Sequence, residues 1–335
     1  MDLAPILERL LAREDLNESL ATQLMQGMLS GESSPEQVAG CLIALRMKGV
    51  KGSELAAFAQ VLRDGAVPVP GCPEDLVDTC GTGGGAASFN LSTGAAIIAA
   101  AAGVKIAKHG NRAVTSTCGS ADVLEELGVK IAGEPEEASR QLSETGLCFF
   151  YAPDYHPGMK HVGPIRRSLA VRTVFNMIGP LVNPARAKTQ LIGVYETGLI
   201  EPMADALERL GGKGMVVTGM DGLDEVSPTA PTYAHTVDPD KEHFTRLTPA
   251  AFGIEPGDVD LEPGSTIAEN AHILRSALDG SDLRRTKALV PNVAVTLWLT
   301  GKVASLKDGA SLAMETVSSG QAIQKLNQWI DVSRA

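Results

Sequence analysis

Four short segments carry the side chains that could do chemistry. In the first, Leu76-Val77-Asp78 runs into Thr79-Cys-Gly-Thr-Gly-Gly-Gly85, and Asn90-Leu-Ser-Thr-Gly94 then opens an Ala-rich helix. Glycines between a strand and a helix let backbone N–H groups close on an anion, and the helix N-terminus adds the positive end of its dipole. This predicts a phosphate or pyrophosphate cradle. A tight turn with positive φ would use the same glycines, and the run matches neither the dinucleotide fingerprint nor a P-loop with its Lys.

The second segment, Lys105-Ile-Ala-Lys108-His109-Gly-Asn111-Arg112, lies at the C-terminal end of the next predicted strand, where open α/β sheets bind ligands. It would bring three cations, an imidazole and an amide to one crevice; a solvated charge cluster is the plainer reading. In the third, Asp221-Gly-Leu-Asp224-Glu225, paired carboxylates cannot bind phosphate directly. They can hold Mg²⁺, which takes one or two carboxylates together with substrate phosphate oxygens; an Asp-Gly surface turn is the alternative. The fourth, His156-Pro-Gly-Met-Lys160-His161-Val-Gly-Pro-Ile-Arg166-Arg167, adds cations, and Arg can grip a carboxylate bidentately. Taken alone it would read as a basic helix face.

These loops require strands and helices to hold them. Residues 1–65 read as helices only: Leu3, Leu7, Leu10 and Leu11 share a face, as do Leu20, Leu24 and Met28. Ser34-Pro35-Glu36-Gln37 is a helix start, Gly49 a stop, and Ser53 begins a helix ending near Asp64-Gly65. The Pro-rich run 66–73 cannot continue a helix and is the expected hinge. Beyond it short apolar strands alternate with helices: strands at 76–78, 104–107, 147–151, 190–195 and 215–218, and helices at 90–102, 120–127 and 202–210. That alternation implies parallel βαβ units. Residues 152–186 carry helical patches broken by five prolines and can cross back to the N-terminal helices. The last sixty residues or so read as mainly helical.

Composition sets outer limits. A chain of 335 residues with 44% hydrophobic content suffices for about two domains. With 29 basic and 40 acidic residues the net charge is −11, which argues against wholesale binding to nucleic acid or an anionic membrane. The longest apolar run, 95–104, is too short for a bilayer, which needs about 20 residues, and the start Met-Asp-Leu-Ala-Pro has no basic signal-peptide flank. A cytoplasmic location is expected. Cys41, Cys72, Cys80, Cys118 and Cys148 never fall as C-x-x-C, so neither a disulfide framework nor a zinc site is indicated.

Together the segments resemble the anthranilate phosphoribosyltransferases, which join anthranilate to 5-phosphoribosyl 1-pyrophosphate in tryptophan biosynthesis. The resemblance covers nearly the whole chain. It rests on Asp-Thr-Cys-Gly-Thr-Gly-Gly from Asp78, Phe-Asn-Leu-Ser-Thr from Phe89, Ala-Lys-His-Gly-Asn-Arg from Ala107 and Gly-Ser-Ala-Asp-Val-Leu-Glu from Gly119. It rests also on His-Pro-Gly-Met-Lys-His-Val from His156, Arg-Thr-Val-Phe-Asn-Met-Ile-Gly-Pro-Leu-Val-Asn-Pro from Arg172, and Asp-Gly-Leu-Asp-Glu from Asp221.

The resemblance implies an α/β protein of the nucleoside phosphorylase and phosphoribosyltransferase kind. A small all-helical domain (1–65 plus about 156–188) is hinged near 66–73 to a larger α/β domain (74–155 plus 189–335) with a mostly parallel central sheet. It implies a homodimer and two Mg²⁺ ions per active site. Gly81, Thr82, Gly83, Gly84, Asn90, Ser92, Thr93 and Lys108 would bind phosphoribosyl pyrophosphate; Gly81, His109, Asn111 and Arg166 would bind anthranilate; Ser92, Asp224 and Glu225 would serve the metal. No residue is assigned as acid or base. The chain departs from the family in continuing Gly85-Ala86-Ala87-Ser88 where an acidic residue is usual, in a loop that looks one residue shorter, in 280–292, and at Ala230.

Two other readings compete. A non-enzymatic nucleic-acid-binding relative of the same fold should carry a positive balance and lack the acidic loop, whereas this chain is at −11 and keeps Asp224-Glu225. A pyrimidine nucleoside phosphorylase would be longer and carry a Lys-x-Ser-Thr-Gly-Gly loop, which is absent here.

Overall fold

Side-chain caps start the first helices: Asn17 Oδ1 accepts the Leu20 N–H at 3.0 Å and Ser34 Oγ accepts the Gln37 N–H at 3.3 Å. Each satisfies a donor that a helix N-terminus otherwise leaves unpaired. The structure, a computed structural model, describes residues 1–113, 117–131 and 133–335. Helices α1 (Ala4–Leu11), α2 (Glu18–Ser30), α3 (Pro35–Lys48) and α4 (Gly52–Asp64) form a bundle, with α3 bracketed by the expected Ser34 start and Gly49 stop. Buried Glu54 accepts the Leu16 and Lys51 N–H groups and Lys48 Nζ, each at 2.8 Å, so its charge is compensated rather than stranded.

Next come β1 (Val77–Gly81), α5 (Leu91–Ala101), β2 (Ile106–Gly110), α6 (Ser120–Leu127), α7 (Pro135–Thr145), β3 (Leu147–Tyr151), α8 (Ala152–Tyr155) and α9 (Met159–Leu169). They are followed by β4 (Thr189–Gly193), α10 (Ile200–Arg209), β5 (Lys213–Gly219), β6 (Thr232–Val237) and β7 (Arg246–Leu247). Helices α11 (Ile267–Asp279), α12 (Leu283–Leu299), α13 (Leu306–Ser318) and α14 (Gln321–Arg334) close the chain. The strands form one sheet in the order β3-β2-β1-β4-β5-β6-β7. β1 to β5 are mutually parallel where they pair, and β6 and β7 are antiparallel. The order reverses at β1, between β2 and β4, which is where an open α/β sheet leaves a crevice beyond its strand ends.

Two large apolar cores flank the sheet. One joins α5, α11, α12, α13 and α14 to Val77, Ile106, Leu191 and Met215. The other joins the N-terminal bundle to Val162 of α9, to Phe175 and Leu181, to Met203 and Leu207 of α10, and to Ile192 and Val216 of the sheet.

Several boundaries differ from the sequence reading. β1 and β2 each continue further than expected, because their polar and glycine residues pair with neighbouring strands: Thr79 to Gly81 are in register with Leu191 to Gly193, and Lys108 to Gly110 with Phe149 to Tyr151. Pro164 lies inside α9 rather than breaking it. β6, β7 and α7 have no counterpart in the sequence reading.

Candidate active site

The loop from β1 to α5 enters the crevice with Gly83 and Gly84 at φ +71° and +80°, a region that favours glycine. Strand ends and neighbouring loops fix it. Thr82 N–H donates to Gly193 O at 2.8 Å, Gly83 N–H to Asp224 Oδ2 at 2.7 Å, Ala86 N–H to Gly222 O at 2.7 Å, and Tyr195 N–H to Thr82 Oγ1 at 3.2 Å. The glycine loop and the acidic loop are thereby stitched together. Two more glycines allow this close approach. A Cβ at Gly81 would lie 2.4 Å from Asp224 Oδ2, and one at Gly85 would lie 2.7 Å from Asp224 Oδ1. An acidic side chain at position 85 therefore has no room in this arrangement, which gives the departure at Gly85 a steric reason.

Asp224 and Glu225 stand side by side, partly buried at the floor of the crevice. Desolvation, and then the Asp224 charge, push the Glu225 carboxyl up to about 8, and desolvation raises Asp224 as well. Two adjacent hard-oxygen ligands that resist sharing negative charge are a donor set suited to Mg²⁺, which would complete its shell with substrate oxygens. Among the described residues no cluster of three or more His, Cys, Asp or Glu could hold a metal by itself. Ser92, in the first turn of α5, accepts Lys108 Nζ at 3.1 Å. Lys108, on β2 and 2% exposed, also donates to Thr79 O, so its charge sits between β1 and the first turn of α5.

His109 is held from both sides. Its main-chain N–H donates to Asp78 Oδ1 at 3.1 Å, and its ring Nδ1 lies 3.1 Å from Gly179 O, which makes Nδ1 the protonated nitrogen and leaves Nε2 a lone pair. Burial, then neighbouring His156 at 5.3 Å between ring centroids, pushes His109 down to about 3; His156 is lowered too, by burial. Both rings are neutral at pH 7. Asp78 is fully buried, and desolvation raises its carboxyl to about 6 against the pull of Lys108; Oδ2 accepts Asn183 Nδ2 at 2.9 Å. Asp78 and Asn183 position His109, and the residue-type reading assigns neither. An acid inside an otherwise apolar strand is the signal available for it.

A cleft of about 1200 Å³ collects these groups. Gly81, Thr82, Gly83, Gly84, Asn90, Ser92, Lys108, His109, Asn111, Arg166, Asp224 and Glu225 all line it. Thr93 does not: it is 1% exposed on the inner side of α5. Lys105 is also absent, pairing with Asp75 at 2.9 Å away from the cleft, and Arg112 reaches it but is bound to Glu125 and Asp122. Of the three cations expected at the crevice, Lys108 and Arg112 line it and Lys105 does not. From the helical side of the cleft Arg166 of α9, a helix packed on α2 and α3, lies 5.4 Å from the Phe175 ring centroid and makes no ion pair with any described residue. Burial lowers its pKa, the sign of a guanidinium taken partly out of water.

A backbone anion cradle, an acidic pair and a half-buried guanidinium around one cleft define a group-transfer enzyme acting on a phosphorylated substrate. Residues 4–66 match the helical bundle domain and residues 73–323 the a/b domain of the glycosyl transferase family. The anthranilate phosphoribosyltransferase of Thermoanaerobacter sp. (strain X514) is 42% identical over 99% of both chains. The crystal structure of anthranilate phosphoribosyltransferase from Thermus thermophilus superposes with a TM-score of 0.91 at 40% identity, covering 98% of this chain and 99% of that one. The enzyme from Saccharomyces cerevisiae in complex with PRPP and Mg gives 0.87 at 28% identity, covering 99% and 98%. The chain belongs to the anthranilate phosphoribosyltransferase family, pentosyltransferases of tryptophan biosynthesis.

Proposed function

We propose that the cleft moves the phosphoribosyl group of 5-phosphoribosyl 1-pyrophosphate to the amine of anthranilate: the anomeric C–O bond breaks, a C–N bond forms, and pyrophosphate and the amine proton leave. The observation that carries this reading is that one cleft is lined by the glycine loop, by Asp224-Glu225 bound to that loop, and by Arg166, which has no ion pair to any described residue. Gly81, Thr82, Gly83, Gly84, Asn90, Ser92 and Lys108 would face the pyrophosphate and ribose phosphate, and Thr93 would act only through the first turn of α5. His109, Asn111 and Arg166, with Gly81, would face anthranilate. Arg166 would meet its carboxylate in a bidentate pair, strengthened by partial burial.

Ser92, Asp224 and Glu225 would hold Mg²⁺, two ions by the family pattern, which when bound neutralises the leaving pyrophosphate. The protein's own part is orientation and electrostatics. Lys108 places a fixed charge behind the phosphate cradle. Neutral His109, held with its Nε2 lone pair free, orients the amine side without competing cationic charge. An aromatic amine is neutral at pH 7, so no strong base is required, and the acceptor of the departing proton stays unassigned. A homodimer in the cytoplasm completes the proposal; among the described residues no helix is long and apolar enough to cross a membrane.

The test is the decay of anthranilate fluorescence on mixing with enzyme, phosphoribosyl pyrophosphate and Mg²⁺, against a metal-free control. Metal-dependent consumption supports the reading, and no consumption by folded protein overturns it. Arg166→Ala should raise the anthranilate KM by about tenfold or more with little change for the other substrate, as loss of a charged hydrogen bond predicts. Asp224→Asn should instead depress Mg²⁺-dependent kcat. Exchange of those two phenotypes would reverse the placement of the substrates.

A further inference from the structure

Arg172 lies between α9 and the 3₁₀ turn Val174–Asn176, and no role has been given to it so far. Its side chain leaves that segment and crosses to the glycine loop, where Nη2 donates to Gly84 O at 2.6 Å. The guanidinium is 4.1 Å from the ring centroid of Tyr195, just beyond the end of β4, which is a close stacking distance. Its own main chain is anchored at the other end. Arg46 Nη1 of α3 donates to Arg172 O, and the adjoining Thr173, Val174 and Phe175 are buried, the last two in the core shared with the bundle. Arg172 is thus an arm rooted in the helical side of the molecule with its tip on the anion cradle.

The contact with Gly84 O matters because a trans peptide points its C=O and the following N–H in opposite directions. Holding the Gly84 carbonyl fixes the direction of the Gly85 N–H. Neither the Gly84 nor the Gly85 N–H donates to any described protein acceptor, so these are donors the cradle has to offer an anion. A turn of that peptide would replace a donor with a carbonyl oxygen facing the phosphate. Glycine, with φ +80° at position 84, offers no side-chain resistance to such a turn. A Cβ at Gly84 would meet Arg172 Nη2 at 2.7 Å, so the absence of a side chain also makes room for the arm.

We infer that Arg172 is a positioning residue for the pyrophosphate side of the site, locking the Gly84–Gly85 peptide with its N–H toward the ligand and tying that loop to the helical unit. The inference rests on the glycine loop being the pyrophosphate cradle. It extends the proposed function by a residue that lines the same cleft and acts through the backbone of the loop.

The experiment compares wild type with Arg172→Ala, Arg172→Lys and Tyr195→Leu, reading KM for both substrates, kcat, and calorimetric binding of Mg²⁺-pyrophosphate. Arg172→Ala should weaken pyrophosphate binding and raise the phosphoribosyl pyrophosphate KM by about tenfold, with the anthranilate KM within about twofold. Lys can reach the carbonyl but cannot stack as a plane on Tyr195, so Arg172→Lys should recover part of the loss. Tyr195→Leu, which keeps the charge and frees the plane, should show the same selective pattern more weakly and stands in if Arg172→Ala does not fold. Pyrophosphate binding and KM unchanged, or both substrates weakened alike with a lower melting temperature, overturn the inference. Wild-type turnover and wild-type pyrophosphate binding separate the two readings: a wild type that binds pyrophosphate but leaves anthranilate untouched defeats the transferase reading, while the variants still report on the arm.

Discussion

At the scale of single residues, the acidic side of the cleft depends as much on missing side chains as on present ones. Gly193 ends β4, accepts the Thr82 N–H, and would place a Cβ 1.6 Å from Asp224 O. Gly193→Ala must therefore push the acidic loop off its position by an ångström or more. Misplacement on that scale costs on the order of 100-fold in rate, so kcat should fall by about that factor with secondary structure retained by circular dichroism; a variant with wild-type kcat would refute the backbone cage. His109 gives a pH prediction. Its folded-state pKa of about 3 lies below the usual value near 6.5 because of desolvation, then His156, with Lys108 adding to the effect and Gly179 O opposing it. An unfolded chain takes up a proton there as pH falls below about 6.5 while the folded one does not, so this stabilising contribution is complete above that pH and is lost on acidification. The stability advantage of wild type over His109→Asn should shrink between pH 7.5 and 5.5 in denaturant titrations. A constant gap would mean that His109 protonates in the folded protein.

At the scale of elements, what sequence can reveal depends on where each strand finds its partner. β3 and α6 are legible to the residue because apolar runs and a helix start bound them. The end of β1 is not, since Thr79-Cys80-Gly81 reads as loop and becomes strand only by pairing with β4, more than a hundred residues on. β6 alternates buried and exposed positions, but its Ala and His content and the preceding Pro-rich turn hide that rhythm. The neck of the loop after β2 is equally invisible. Asp122 Oδ2 accepts both the Ala113 and the Gly119 N–H at 2.9 Å, and Oδ1 takes Arg112 Nη1 at 3.1 Å. One carboxylate of α6 thereby closes the neck that presents Asn111, and Asn90 Nδ2 joins it through Cys118 O at 3.1 Å. Asp122→Ala removes three acceptor contacts, worth about 1–3 kcal/mol for charged hydrogen bonds. Amide exchange at Ala113 and Gly119 should accelerate by at least about tenfold, read by hydrogen–deuterium exchange, with helix α12 unaffected. Unchanged protection at both amides would show that the neck closes without the carboxylate.

At the scale of the whole molecule, the order of helical and α/β segments and the meeting of the four loops at one cleft are legible in the sequence, while the way the two parts share a core is not. The 202–210 helix reads as an ordinary crossover, and its periodicity says only that one face is apolar. In the structure that face, through Met203 and Leu207, meets the N-terminal bundle at Leu55, Phe58 and Leu62, and the same core continues to Ile192 and Val216 of the sheet. Arg63 adds a polar tie, its Nε donating to Leu181 O at 2.7 Å. The boundary at 66–73 is thus a boundary along the chain, whereas the apolar packing runs across it. Removing residues 1–65 would bare the face of α10 that packs on α4, which carries buried Ile200, Met203 and Leu207, and each apolar side chain of that size contributes about 1.5–3 kcal/mol when fully buried. The sum is comparable to the roughly 5–15 kcal/mol that typically separates a folded domain from its unfolded chain. Residues 66–335 produced alone should therefore aggregate or bind a hydrophobic dye and melt without cooperativity, even though they contain every strand and nearly all of the cleft. A soluble fragment with a sharp calorimetric transition would show that the α/β part stands by itself, and that the bundle contributes Leu62 to the cleft and the Arg46 contact to Arg172 O rather than a share of the fold.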